Sequence, residues 1–410
     1  MTGEPKVLMV TRRLDRGGAE RHIVRITPRL RERGIDVSLF VLERGGPLEA
    51  DLQFAGVPIS GPASTATAPL RPLRIIGSLY RTIRAQQPDI VHFFLPEPYL
   101  LGSIAAILAR SPIRVMSRRS LANYQANHPW LARLERRLHR GTAAILGNSR
   151  AVAAELNAEC GDESKVGLIY NGIEPTPLPD ADGRASARRA LQLGPNTIAL
   201  LIVANLIAYK GHDDLLQALA QLKSNMPWDW RLLAVGRDDG IGAALRARSA
   251  ALGLQDRIDW LGERSDVAGL LAAADVALLA SHEEGFSNSL IEAMAAGLPV
   301  IATEVGGNLD AVVSKESGLL VPARNPAALA DAIAALIGDP ALRARLGAQA
   351  RQRVERYFSL ETCVQRYVNV YRRAGDIGRT PVRAIIDPPV EQAILQHGPA
   401  ELLPARPGSD

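Results

Sequence analysis

Short, almost wholly apolar runs alternate with longer stretches of mixed polarity along most of the chain. In the first half these runs lie at 7–11, 37–42, 90–94, 113–117 and 143–146. A strand with no polar alternation is buried on both faces, as in a parallel sheet covered by helices. The intervening stretches 18–33, 70–86, 97–110, 128–140 and 149–158 space their apolar residues for one helical face. The cadence restarts at 198–203 and continues at 232–235, 258–261, 276–279 and 300–302, each run again followed by a helical pattern. Two such series predict an α/β protein of two Rossmann-like domains rather than one very wide sheet.

The boundary is marked by composition. Residues 172–196, GIEPTPLPDADGRASARRALQLGPN, are rich in Pro, Gly and Asp, which favour turns, with a short helix predicted near 185–192. This divides the chain into an amino-terminal domain over 1–175, a linker over 176–196 and a second domain over 197–358. Beyond it, helices are predicted at 326–337, 340–356 and 359–373. From 376 to 410 periodic apolar residues thin out, and a loosely ordered tail is expected.

Composition narrows the function classes. Hydrophobic residues make up 47% and charged residues 22% of 410, which excludes wholesale disorder. Only two cysteines, Cys160 and Cys363, are present, so neither a disulfide scaffold nor a four-thiolate zinc site can form. No apolar stretch reaches the roughly 18 residues needed to span a bilayer, and MTGEPKVLMV lacks the pattern of a secretory signal. The expected location is the cytoplasm. Residues 1–180 hold 24 basic and 17 acidic side chains, against 24 and 26 in the remainder. The basic half suits an anionic partner such as a membrane surface or a phosphorylated substrate. Nucleic acid is not expected, because aromatics are only 4% and no basic–aromatic interleaving is visible. In LARLERRLHR at 131–140, Leu131, Leu134 and Leu138 form one stripe and Arg133, Arg136, Arg137 and Arg140 much of the rest. That pattern fits a helix lying on anionic lipid at the inner membrane face, or an ordinary helix with its leucines inward.

Three places carry candidate chemistry. In TRRLDRGGAERH, Gly17 and Gly18 stand where a strand hands over to a helix, so backbone N–H groups can approach an anion there; taken alone, the pair is equally an ordinary loop. In VANLIAYKGHDDLLQAL, Asn205 and Lys210 lie between strand 198–203 and the next helix, where α/β folds hold ligands. The Lys210 ammonium there is suited to a leaving diphosphate. The most specific stretch is SHEEGFSNSLIEAMAAGLPVIATEVGG. Strand 276–279 leads into a loop carrying Glu284, a helix starts near Asn288 with Ser287 or Asn288 as cap, and Glu292 follows eight positions after Glu284. Two carboxylates beside a helix N-terminus fit a polyhydroxylated ligand joined to a diphosphate.

This last stretch resembles the E-x7-E signature of the retaining glycosyltransferases of family 4, which have the GT-B fold. Gly17-Gly18, Asn171-Gly172-Ile173, Lys210-Gly211-His212, Val235-Gly236-Arg237, Gly306-Gly307 and GLLVP at 318–322 resemble further family motifs in family order, over roughly 5–373. The resemblance implies two Rossmann-like domains whose parallel sheets face an interdomain cleft. The second domain would bind a nucleotide-activated sugar and the first the acceptor, with helix 359–373 crossing back to the first domain. It implies that Glu292 holds the ribose and that Glu284 lies near the donor sugar. Gly285, Phe286, Ser287 and Asn288, with the neighbouring Ser289 and Leu290, would line sugar and phosphates. Lys210 would stabilise the departing diphosphate, with Gly17 and Gly18 closing on it. Asn205, Gly236, Arg237 and Arg264 would complete the donor site near phosphate and base. The resemblance further implies a catalytic role for Glu284 and Lys210 and, at a histidine position seen in the family, for His92, which reads equally as a packing or hydrogen-bonded histidine at a strand end. Arg118 and Arg119 would meet a phosphate on donor or acceptor.

The chain departs from the family pattern at two points. An arginine is common where Asn205 stands, and a histidine is common where the chain reads Ser117-Arg118-Arg119. No Asp/His metal cluster appears, so no metal or other cofactor is expected, and diphosphate charge falls to Lys, Arg and helix dipoles. The expected activity is retaining transfer of a sugar from a nucleoside diphosphate sugar to a glycan or lipid-linked acceptor in bacterial surface polysaccharide or lipopolysaccharide synthesis. The competing readings are a GT-B sugar-nucleotide epimerase and a catalytically silent glycan- or nucleotide-binding partner.

Overall fold

The strands gather into two separate parallel sheets in the computed structural model, which describes residues 4–62, 70–111, 113–126, 128–175, 177–223 and 228–387. The chain divides into two compact units. Unit 1 takes the residues up to Asn148, Val152–Tyr170 and those from Cys363 onward; unit 2 takes Ser149–Ala151 and Asn171–Thr362.

Unit 1 holds β1 (Lys6–Thr11), β2 (Asp36–Val41), β3 (Ile59–Ser60), β4 (Ile90–Phe94), β5 (Ile113–Arg118), β6 (Ala144–Gly147) and β7 (Val166–Leu168), in the order β3-β2-β1-β4-β5-β6-β7. Leu8, Val10, Phe93, Met116 and Ile145 cover one face of this sheet. The helix Arg71–Gln86 brings Ile75, Leu79 and Ile83 onto it, an i, i+4, i+8 row. Each such side chain contributes about 1.5–3 kcal/mol on burial.

Unit 2 holds β8 (Ile198–Val203), β9 (Trp230–Val235), β10 (Ile258–Gly262), β11 (Val276–Leu279), β12 (Val300–Thr303) and β13 (Leu319–Val321), in the order β10-β9-β8-β11-β12-β13. Leu215, Leu219 and Leu222 of the helix His212–Lys223 pack on Leu200, Ile202 and Leu232. The short edge strands β3, β7 and β13 were not predicted, because two or three residues carry no readable period. The helix inside the expected linker runs over Ala181–Ala190 and belongs to unit 2.

The helix Leu360–Arg372 buries Val364, Tyr367, Val368 and Tyr371, one helical stripe, and its residues from Cys363 onward belong to unit 1. The expectation of a loosely ordered tail from 376 is corrected by a further helix, Val382–Ile386. Its Val382, Ile385 and Ile386 are buried, with Val382 and Ile386 packed on Gly167 of β7. Asp387 then pairs with Arg366 at 2.8 Å. The remainder of that expectation, 388–410, lies outside the described residues.

In both sheets the first strand of its series sits inside, with the chain running outward on either side. The switch points fall between β1 and β4 and between β8 and β11. Open parallel sheets bind ligands outside the carboxyl ends of the strands at such points.

Candidate active site

The unit 2 switch point brings together the loops that follow β8 and β11. After β8 a single 3-10 turn, Ala208–Lys210, ends at Gly211. A Cβ at Gly211 would lie 1.9 Å from the Ala280 carbonyl oxygen, so only glycine lets the loops approach this closely. The His282 amide donates to the Tyr209 carbonyl at 2.7 Å and stitches the loops together. Lys210 Nζ then reaches Glu284 Oε1 at 2.6 Å, although the two residues are 74 positions apart. Ser281 Oγ donates to the same oxygen at 2.7 Å, and Thr303 Oγ1 holds the Ser281 carbonyl at 2.5 Å. The Lys210 and Glu284 side chains are 17% and 9% exposed, so the pair is largely shielded from water.

Immediately beyond, the helix Asn288–Ala295 begins with Ser287 as cap, its hydroxyl accepting from the Leu290 amide at 3.4 Å and lying 3.2 Å from Ser289 Oγ. Asn171 Nδ2 donates to Asn288 Oδ1 at 2.5 Å and to the Phe286 carbonyl at 3.4 Å, fixing the turn into the helix. Phe286 is buried with its ring centroid 5.2 Å from that of Phe358. Gly306 and Gly307 lie under the same loop, where a Cβ would meet the carbonyl oxygens of Glu284 and Gly285. Glu292 stands in the second turn of the helix and is half-buried. Loop amides, a helix N-terminus, a lysine and two carboxylates are thus held on one edge by rigid packing.

The β9 and β10 loops flank this centre. The side chain of Asn205 is used on both ends: Oδ1 accepts from the Arg237 amide at 3.3 Å and Nδ2 donates to Asp239 at 3.2 Å. Asp239 also takes Arg237 Nε at 2.7 Å, and its carboxyl sits below the usual range chiefly because of that bond. Asn205 therefore braces two loops while its side chain stays exposed. Arg264 is paired in the same way with Asp266 at 2.5–2.7 Å.

Unit 1 places its predicted residues differently. Gly17 is the N-cap of the helix Gly18–Glu32, next to β1, with no side-chain cap. The carboxylate of Glu20 folds back to where a Gly17 Cβ would stand, and burial raises its pKa. Of the two readings of His92, the catalytic one gives way to the packing one. The residue is fully buried in β4, with Nδ1 2.7 Å from Tyr371 Oη and Nε2 2.8 Å from Ser117 Oγ, and its ring stacks on Phe94. Burial first, then the Arg119 charge, hold its pKa down to about 3. Arg118 is likewise not available to an external phosphate. It is 3% exposed and donates to Glu135 at 2.8 Å and to both oxygens of Glu159 at 2.6 and 2.7 Å. Arg119, next in line, is half-buried and donates to Tyr367 Oη at 3.3 Å.

The one group of metal-type ligands found among the described residues is Glu135, His139 and Glu159. The Arg118 guanidinium already bonds both carboxylates, so a cation occupies their lone pairs from the protein side. The leucine stripe of the helix Pro129–His139 is divided: Leu138 packs against the unit 1 core and Leu131 is half-buried, whereas Leu134 is exposed. Glu135 and His139 are the helix's fully buried residues, and Trp130 and Leu134 are exposed beside Arg133, Arg136, Arg137 and Arg140. No described helix is long and apolar enough to cross a membrane.

Sequence reasoning missed Ser281, Thr303 and Tyr209. Ser281 is inside the motif itself, but its bond to Glu284, like Tyr209's place beside Lys210, needs the loops folded together.

Two Rossmann-like units, one with a lysine–glutamate pair at its switch point and the E-x7-E helix, define a glycosyltransferase of GT-B type. Residues 184–353 match the model of glycosyl transferases group 1, and residues 16–176 match that of glycosyltransferase family 4. A D-inositol 3-phosphate glycosyltransferase of Streptomyces bingchenggensis is 30% identical over 373 residues, covering 84% of this chain and 82% of that protein. That of Jonesia denitrificans is 33% identical over 300 residues, covering 68% and 70%. HepE of Anabaena, solved with UDP and glucose, superposes with a TM-score of 0.80 at 23% identity, covering 90% of this chain and 99% of that one. WaaG, a glycosyltransferase involved in lipopolysaccharide biosynthesis, gives 0.71 at 18% identity, covering 89% and 99%. The chain belongs to the group 1, family 4 glycosyltransferases, and is an enzyme of that class.

Proposed function

We propose that this enzyme binds a nucleoside diphosphate sugar at the carboxyl end of the unit 2 sheet. It passes the sugar, with its anomeric configuration kept, to a hydroxyl of a glycan or lipid-linked acceptor in bacterial surface polysaccharide or lipopolysaccharide synthesis. The observation that carries this reading is the contact of Lys210 with Glu284 beside the capped start of the helix Asn288–Ala295. Two solved HepE structures contain UDP and glucose, or UDP-glucose, which supports a nucleotide-sugar donor.

In this reading Glu292 accepts bonds from the ribose hydroxyls and Glu284 faces the sugar. Lys210 and the amides from Gly285 to Asn288 take the diphosphate, with no metal. The bond between the anomeric carbon and the phosphate oxygen breaks, and charge grows on the leaving diphosphate, where the ammonium and helix N-terminus stabilise it most. The acceptor oxygen attacks on the same face, and its proton passes to the departing phosphate oxygen. A covalent glycosyl-Glu284 adduct caught by mass spectrometry overturns the same-face route.

The test is a thermal-shift screen with UDP, GDP, ADP and their sugars. One nucleoside diphosphate well above its dissociation constant is expected to raise the melting temperature by a mass-action shift. Lys210→Ala and Glu292→Ala reduce that shift. No shift with any of them refutes the donor site, and conversion of free sugar nucleotide without acceptor would instead indicate an epimerase.

The relatives named for D-inositol 3-phosphate favour a second acceptor reading, a small phosphorylated polyol. Radiolabelled sugar transfer to that compound, compared with transfer to lipid-linked acceptors, separates the two. For a lipid-linked acceptor, the exposed Trp130 and Leu134 among four arginines supply a peripheral contact with anionic membrane. Failure to float with anionic liposomes removes that contact.

A further inference from the structure

We infer that Tyr209 is a positioning residue for Lys210, holding the ammonium by its ring face so that the lysine keeps its place and its charge for the donor's diphosphate. This inference rests on the reading that Lys210 meets that diphosphate. The ammonium has two partners of different kind. Glu284 Oε1 lies 2.6 Å away, and the Tyr209 ring centroid lies 5.2 Å away. A lysine side chain ends four flexible bonds, and one partner fixes a distance but little else. Two partners in different directions fix a position.

The partners also differ in what they do to the charge. A carboxylate neutralises an ammonium, whereas an aromatic quadrupole attracts it and leaves the full positive charge available to an anion. When Glu284 turns to the donor sugar, the ring remains. With Asn205 committed to Arg237 and Asp239, the β8 loop offers Lys210 as its one charged group facing this centre, so the lysine's placement matters more here.

The backbone that carries the ring is well anchored. The Tyr209 carbonyl takes the His282 amide at 2.7 Å, and the Lys210 amide bonds the Ile207 carbonyl at 3.0 Å. The His282 imidazole lies 2.7 Å from Asp214 on the following helix, which locks the second loop to the first. Tyr209 is 38% exposed, so its ring is not a core residue and substitution leaves the fold intact.

The experiment is a double-mutant cycle read by calorimetric titration of the full chain with UDP, GDP and ADP. Its variants are Tyr209→Phe, Tyr209→Leu, Tyr209→Met, Lys210→Ala and the Tyr209→Leu/Lys210→Ala pair. Tyr209→Leu and Tyr209→Met are expected to weaken the nucleoside diphosphate that binds by about two- to five-fold, the size of an exposed cation–π contact. Tyr209→Phe keeps the ring and stays at the wild-type affinity. In the Lys210→Ala background, Tyr209→Leu adds nothing. An unchanged affinity in Tyr209→Leu and Tyr209→Met overturns the inference, as does an equal loss with and without Lys210, which would indicate direct contact of the ring with ligand. A wild-type chain that binds none of the three overturns the donor reading and this inference with it. Binding that is sensitive to Lys210 but indifferent to Tyr209 overturns the inference alone.

Discussion

Replacing Gly306 by alanine tests whether the β12 loop sets the position of Glu284. Gly306 has φ +45°, and an added Cβ would lie 1.8 Å from the Glu284 carbonyl oxygen. Real Cβ atoms do not come closer than 3.0 Å, so one of the two loops must move by about 1.2 Å. The left-handed backbone costs alanine about 1–2 kcal/mol, and overpacking about 1–3 kcal/mol more. A total of about 2–5 kcal/mol lowers the melting temperature. A displacement of that size at the backbone of Glu284 also pulls its carboxylate from Lys210, and a shift near 1 Å at a reacting centre costs on the order of 100-fold in rate. The assays are nucleoside diphosphate titration, hydrolysis of the cognate sugar nucleotide and thermal melting. Gly56→Ala is the control: its φ is +70°, yet nothing lies within 4 Å of the added Cβ. It is expected to lose about 1–2 kcal/mol of stability and no activity. A folded Gly306→Ala protein with wild-type affinity and hydrolysis refutes the claim that this loop positions Glu284.

The pH dependence of stability follows from the buried histidines. His92 and His212 have their pKa lowered to about 3 and about 4, mainly by burial, so both stay neutral in the folded chain while the unfolded chain protonates them near 6.5. Their contribution is complete above pH 6.5 and drains as pH falls toward those values. At pH 5 each lowers stability by about 2 kcal/mol, and His92→Asn should flatten the urea-midpoint slope between pH 7 and 5, an unchanged slope counting against the assignment. Arg118→Ala leaves Glu135 and Glu159 without their cation and is expected to cost about 3–5 kcal/mol in urea unfolding, with nucleoside diphosphate affinity unchanged. Loss of that affinity without loss of stability would return Arg118 to the ligand. Val382→Asp puts a charge at a 1% exposed position and should lower the melting temperature by several degrees; a wild-type value would show that the last helix does not brace β7.

The two parallel sheets were legible because a strand buried on both faces is apolar at nearly every position. Runs such as 90–94, 198–203 and 276–279 coincide with β4, β8 and β11 to the residue. The E-x7-E spacing, the cap at Ser287 and the lysine after β8 are local features, and the chain order alone exposes them. Partners distant along the chain are not local. His92 and Arg118 looked like candidate ligand contacts as residues at strand ends. Which neighbours fill their surroundings is decided by Tyr371 from a helix about 280 positions later and by Glu135 and Glu159 from two other helices. The same holds for Asn205 and Asp239, and for the helix Pro129–His139, whose buried Glu135 meets Arg118. Periodicity reports which residues avoid water. The pairing of charges inside depends on where the sheet order places each strand end, and that order is a property of the folded chain.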